Sequence, residues 1–136
     1  MAHDTVKASS DPLSAWRVFF AVAAGFNFVV ALTFLLAPET ILAALNVPVQ
    51  GDLLFHRLTG FLVLCFGIGY AFVARDPQRN RAIVWIGLIG KAGVILLFAQ
   101  AWLSGTLPFA AFSVSFGDVA FAIGFAAFLI VNRETR

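Results

Sequence analysis

The sequence predicts an all-α integral membrane fold: an up-down four-helix bundle with a short amphipathic helix after the first span. Three observations carry this expectation. Hydrophobic residues make up 61% of the 136-residue chain and charged residues 12%, against roughly 45–50% and about 25% in ordinary soluble domains. One domain's length of chain must keep much of its surface polar to stay in water, and this chain lacks the residues to do so. Four segments reach the roughly 20 mostly apolar residues that a helix needs to cross a bilayer. Lys and Arg, finally, collect in alternate links. Together these exclude a soluble enzyme, a nucleic-acid binder and a disordered segment.

Residues 1–14 are polar and mixed in charge, with Asp4, Lys7 and Asp11. They do not resemble a secretory signal, and the apolar stretch after them exceeds a signal's core of roughly 7–15 residues, so it is expected to stay as a span. The first span is 15–37, ended by Pro38 and Glu39. Pro38-Glu39-Thr40 opens an amphipathic piece through Leu45, with Asn46 and Pro48 as stop signals. Ile41, Leu42 and Leu45 share one side of it, which suits a helix lying at the membrane surface. The second span is 53–74, with a turn at Asp76-Pro77. The third is 82–103, closed by Ser104-Gly105-Thr106-Leu107-Pro108, and the fourth is 109–131.

Lys7 and Arg17 precede span one, Arg75, Arg79 and Arg81 fill the middle link, and Arg133 and Arg136 follow span four. The links 38–52 and 104–108 contain no Lys or Arg. Positive charge stays on the cytoplasmic side, so both termini and the middle link are expected there. Trp16, Tyr70, Trp85 and Trp102 fall near span ends, where aromatic rings favour the headgroup region.

Short links make consecutive spans antiparallel neighbours. In span four, Phe112, Phe116, Val119, Ile123 and Ile130 form a bulky stripe suited to lipid. Ser113, Gly117, Ala120 and Gly124 lie on a second side, and Ala111, Ser115, Asp118 and Ala122 on a third. Small residues let helices approach closely in a membrane, so two small faces imply two neighbours. Gly60, Gly67 and Ala71 of span two, with Gly87 and Gly90 of span three, are expected to pack helices in the same way. The lone Cys65 reads as a small core residue.

The informative residues are those that are costly in lipid, at about 2.5–3.5 kcal/mol for a central charge. Lys91 and Asp118 fall at depths about 6 Å apart at the helical rise, within a lysine's reach if their helices are neighbours. Asn27 lies near the depth of Asp118. Arg57 stands at the outer end of span two, able to reach outward to the interface or inward to Asp118. The expectation is a buried polar cluster of Asn27, Arg57, Lys91 and Asp118, with His56 and Ser115 at its edge. Such a cluster can fix helix register without doing chemistry. It can also bind or relay protons: Arg57 would invite an anionic group, and burial could leave Lys91 neutral. Ser113 and Ser115 are expected to bond to their own helix backbone. Two His, only one of them outside the polar tail, give no paired-histidine haem site, and no zinc-ligand spacing or phosphate-binding glycine loop is present.

These features also carry a likeness. Ala37-Pro38-Glu39, the Leu45-Asn46-Val47-Pro48 turn, Phe55-His56-Arg57-Leu58-Thr59-Gly60 and Gly67-Ile68-Gly69-Tyr70 stand in an order that resembles the DoxX-like family of small bacterial four-helix membrane proteins. The resemblance covers nearly the whole chain. It implies a bacterial inner-membrane location and an association with redox or quinone-linked complexes. Arg57 and Gly60 match the family's arginine-glycine feature.

Two function classes follow as expectations. One is a non-enzymatic accessory or lipid/quinone-binding module, with the polar cluster as its binding or docking point and membrane lipids, a membrane-protein partner or a second copy as its contacts. The other is a small dimeric proton-coupled transporter in which Asp118 and Lys91 titrate. No cofactor is required by the residues, although a quinone is compatible. A membrane enzyme ranks third, because no nucleophile with its own base stands in the pattern.

Overall fold

The computed structural model describes residues 11–133; His3, Asp4, Lys7 and Arg136 lie outside them. Within them are five helices: α1 (Ser14–Leu36), α2 (Pro38–Ala44), α3 (Leu54–Arg75), α4 (Arg81–Leu103) and α5 (Phe109–Val131). The four long ones have 22 or 23 residues, or about 33–35 Å at the α-helical rise, enough to cross a hydrocarbon core of about 30 Å. The chain is an all-α, four-span bundle, and each expected span lies within a residue of its helix at either end.

Local chemistry sets the helix ends. Pro38 occupies the first turn of α2, where its missing N–H is not needed. Asn46 then takes a positive φ of 56°. Its N–H reaches Ala43 O at 3.1 Å, and Val47 N–H reaches Leu42 O at 2.9 Å, the paired bonds of a Schellman stop. Gly105 (φ 75°) closes α4 in the same way, with Gly105 N–H to Trp102 O and Thr106 N–H to Ala101 O.

The helices form two hairpins. In the first, α1 and α3 lie nearly in contact, because Gly60 faces the backbone of Ala31 and Gly67 faces Asn27 and Phe28. In the second, α4 and α5 pair along their length. Aromatic rings join the hairpins. Phe26 sits on Gly117, Phe19 sits on Gly124, and Gly87 accepts both Tyr70 and Phe125. The two small faces of α5 therefore serve two neighbours, α1 and α4, as expected. Phe116, Ile123 and Ile130 of the bulky stripe are exposed toward the lipid side.

Arg17, Arg75, Arg79, Arg81 and Arg133 collect at one end of the bundle, here called the basic end. The largest buried cluster lies in that half, while Ala31, Leu42 and Ala111 are buried toward the other end. Phe20, Ala23, Ala24, Tyr70, Val73, Val84, Phe125, Phe128 and Leu129 form one buried cluster, with edge-on ring contacts at 5.0 Å between Tyr70 and Phe125 and 5.2 Å between Phe20 and Phe128. Arg81 locks this end: its guanidinium donates to the backbone carbonyls of Asn132 and Leu129 and lies 5.5 Å from the Phe128 ring. It thus satisfies orphan carbonyls at the C-terminus of α5 as well as adding basic charge there. Arg81→Gln is expected to cost about 1–2 kcal/mol, at the lower end of the range for hydrogen bonds from charged donors. Unfolding of the detergent-solubilised protein checks this, and an unchanged midpoint would reduce Arg81 to a topology signal.

Two expectations need correction. Tyr70 is not an interfacial anchor. It is 1% exposed, because its face of α3 turns toward the space left by Gly87. Trp85 and Trp102, by contrast, are exposed near span ends. Cys65 is not a core residue either; it is exposed on the outer side of α3, beside a shallow groove with Gly69 and Ile83.

Candidate functional site

Away from the basic end a cavity of about 540 Å³ opens between the two hairpins; the rings Trp102, Phe109, Phe112 and Phe116 of that half pack on one another along α4 and α5. Pockets for small ligands commonly measure about 300–1,000 Å³. Its walls are apolar and come from every helix, including Val30 and Phe34 of α1, Leu62 and Phe66 of α3, Val94 and Phe98 of α4, and Val114 of α5. Leu62 of α3 and Val94 of α4 line the cavity and remain accessible, so it is not sealed within the bundle. The roof is α2 with the residue that follows it, and Ile41, Leu42 and Leu45 line the cavity. The apolar side that suits a surface helix is thus turned into the bundle.

The floor is polar. Lys91 Nζ donates to Asp118 Oδ1 at 2.7 Å, with side-chain exposures of 5% and 18%. Both residues stand near the middle of their helices, so the pair lies deep in the span and well away from either end. Four rings surround the ammonium, from Phe26, Tyr70, Phe121 and Phe125, with centroids 5.3–5.9 Å from Nζ. Ring faces attract a cation, more strongly once it is desolvated. Lys91 therefore combines a carboxylate partner with an aromatic cage. Asn27 completes the floor; its Nδ2 donates to Val63 O at 3.3 Å, tying α1 to α3.

The structure brings Asn27, His56, Lys91 and Asp118 to one cavity and leaves Arg57 out. Arg57 is exposed, does not line the cavity and makes no ion pair among the described residues. Consecutive helical residues point about 100° apart, so His56 can face inward only if Arg57 does not. Arg57 takes the outward course, and the buried cluster has one basic residue. Its two formal charges cancel. Ser115, 1% exposed, donates to Phe112 O on its own helix, and Ser113 donates to Ala110 O.

His56 stands at the roof end of the cavity, with a buried Nδ1 that has no hydrogen-bond partner among the described residues. Thr33 and Thr59 also line this end, but their hydroxyls are bonded to carbonyls of their own helices. The aromatic cage is the part of the site that polar-residue reasoning missed. Spacing signals only one of its rings: Tyr70 continues the series His56, Thr59, Val63 and Phe66 at three- and four-residue intervals on one face of α3, while Phe26, Phe121 and Phe125 come from α1 and α5.

No family model, curated protein or solved structure matches the chain. The DoxX-like resemblance therefore rests on the short motifs that carry it.

Proposed function

We propose that this protein is a non-enzymatic binding module of the bacterial inner membrane, which takes a lipid-like molecule into the cavity between its two hairpins. The observation that carries this is the cavity itself: an apolar space of about 540 Å³ with a polar floor, partly open and bounded toward the basic end by packed rings. Apolar walls with a few convergent polar groups are the usual composition of a small-molecule site. The basic end is the cytoplasmic one in this proposal, so the ligand enters from the outer leaflet. The DoxX-like resemblance belongs to the same proposal and supports the bacterial location and a quinone as one compatible ligand. An accessory role beside a partner protein, or in a second copy of this chain, fits Gly25 and Gly93, which have nothing within 4 Å of where a side chain would begin.

The alternative, a dimeric proton-coupled transporter using Asp118 and Lys91, needs a route past the closed half. The ring cluster of Phe20, Tyr70, Phe125 and Phe128 blocks that route in this conformation, which favours the binding module. Native mass spectrometry of the gently extracted protein tests the proposal. The expected result is a retained amphiphile, at about one per chain, that falls at least tenfold in Val114→Trp, a variant that fills the cavity. Equal retention in that variant would place the bound lipid on the outer surface and remove the cavity from the function.

A further inference from the structure

Resting on the binding-module reading, we infer that the ligand is a neutral, hydroxyl-bearing lipid that enters polar end first and donates its hydrogen bond to the ion-paired floor. The charge state of the floor gives the first argument. Lys91 and Asp118 cancel, and the Lys91 ammonium is already held by Asp118 Oδ1 and four ring faces. An anionic carboxylate or phosphate would meet Asp118 without a free cation to receive it. A cationic amine would meet Lys91. Either would also carry a net charge into the middle of the span, where charge is costly.

The hydrogen-bonding capacity left over gives the second argument. Asp118 is the more exposed partner of the pair, lines the cavity, and accepts only at Oδ1 among the described residues. Asn27 uses Nδ2 on Val63 O, which leaves its carbonyl oxygen. The free oxygens of Asp118 and Asn27 are acceptors that call for a donor, while the second N–H of Asn27 Nδ2 can give to an oxygen of the same group. A hydroxyl supplies both without charge.

Depth gives the third. Ten residues of α3 separate His56 at the roof from Phe66 near the floor, about 15 Å at the helical rise. A phospholipid keeps its charged headgroup at the surface and offers the floor only its tails. A long-chain alcohol can bring its single polar group down and leave its apolar body against Val94, Val114 and the other walls.

The test is equilibrium binding of radiolabelled 1-hexadecanol to the full chain in nanodiscs, competed by palmitate and by hexadecyl methyl ether. The ether keeps the chain and loses the donor. Wild-type protein is expected to bind the alcohol about tenfold or more tighter than either competitor, the scale of one hydrogen bond to a charged acceptor. In Lys91→Met/Asp118→Leu, which removes both charges and leaves Asn27 as the polar residue of the floor, the preference for alcohol over ether is expected to fall to about twofold or less. Palmitate binding as tightly as the alcohol would overturn the neutral class. A preference that survives in the double variant but disappears in His56→Phe would move the hydroxyl to the roof and overturn the floor assignment. Equal affinity for ether and alcohol overturns this inference while leaving the cavity-binding reading intact, whereas binding of none of the three overturns both.

Discussion

Asp118→Leu is expected to destabilise the bundle by about 3–5 kcal/mol, and adding Lys91→Met should recover most or all of that loss. The asymmetry follows from where the pair sits. Lys91 is 5% exposed and its ammonium has one carboxylate partner, 2.7 Å away. Removing the carboxylate leaves a buried cation with only ring faces around it. Those faces contribute about 2 kcal/mol or somewhat more when desolvated, too little to replace an ion pair. Removing both charges leaves two apolar side chains in an apolar setting, which is often neutral or stabilising. Denaturant unfolding of the four variants in mixed micelles gives the double-mutant cycle. A neutral Asp118→Leu would mean that Lys91 is not charged at this position. A double variant no better than the single one would mean that packing volume, rather than charge, sets the loss.

Gly60→Val is expected to be the most damaging change at a glycine, with a cost of about 3 kcal/mol or more, at or beyond the upper end of the usual overpacking range. A Cβ at position 60 would stand 2.9 Å from Phe34 Cβ and 3.0 Å from the Ala31 carbonyl oxygen. These are backbone and near-backbone atoms, so α1 and α3 must separate for it to fit. Gly25→Ala and Gly93→Ala provide the contrast. With nothing within 4 Å of the added carbon, each should be neutral or gain up to about 1 kcal/mol of helix propensity. Unfolding midpoints in one detergent rank the three variants. A tolerated Gly60→Val would show that the first hairpin is looser than its contacts imply, and a damaging Gly25→Ala would show that α1 is covered by a partner in the membrane.

Much of this arrangement was legible in the sequence because it depends on one-dimensional quantities. Span length follows from counting apolar residues, and depth follows from helical rise. Depth, together with the expected pairing of consecutive spans, placed Lys91 beside Asp118. The small faces of α5 were visible as spacing, and they met the two neighbours they implied. What failed were inferences that needed the direction of a side chain. Arg57 misses the cluster in azimuth, since the inward spacing from His56 to Tyr70 turns it outward, and it also stands at the roof end of α3 rather than at the floor. Tyr70 fails for the opposite reason: nearness to a span end suggested the interface, while its face of the helix commits it to the core. The cavity had no local signal. It is bounded by rings from different helices that fill the other half of the bundle, an outcome set by the meeting of side chains distant in sequence.

The division into hairpins also bears on how the chain is made. Asn27 is bonded to Val63 within the first hairpin, and Lys91 to Asp118 within the second. Neither hairpin depends on the other to satisfy its most costly intramembrane groups. The pairing of α1 with α3 is thus complete without α4 or α5. Lys91 in turn needs only a residue 27 positions behind it. Assembly of the whole protein is thereby reduced to the lateral meeting of two already neutral, already paired units in the membrane plane.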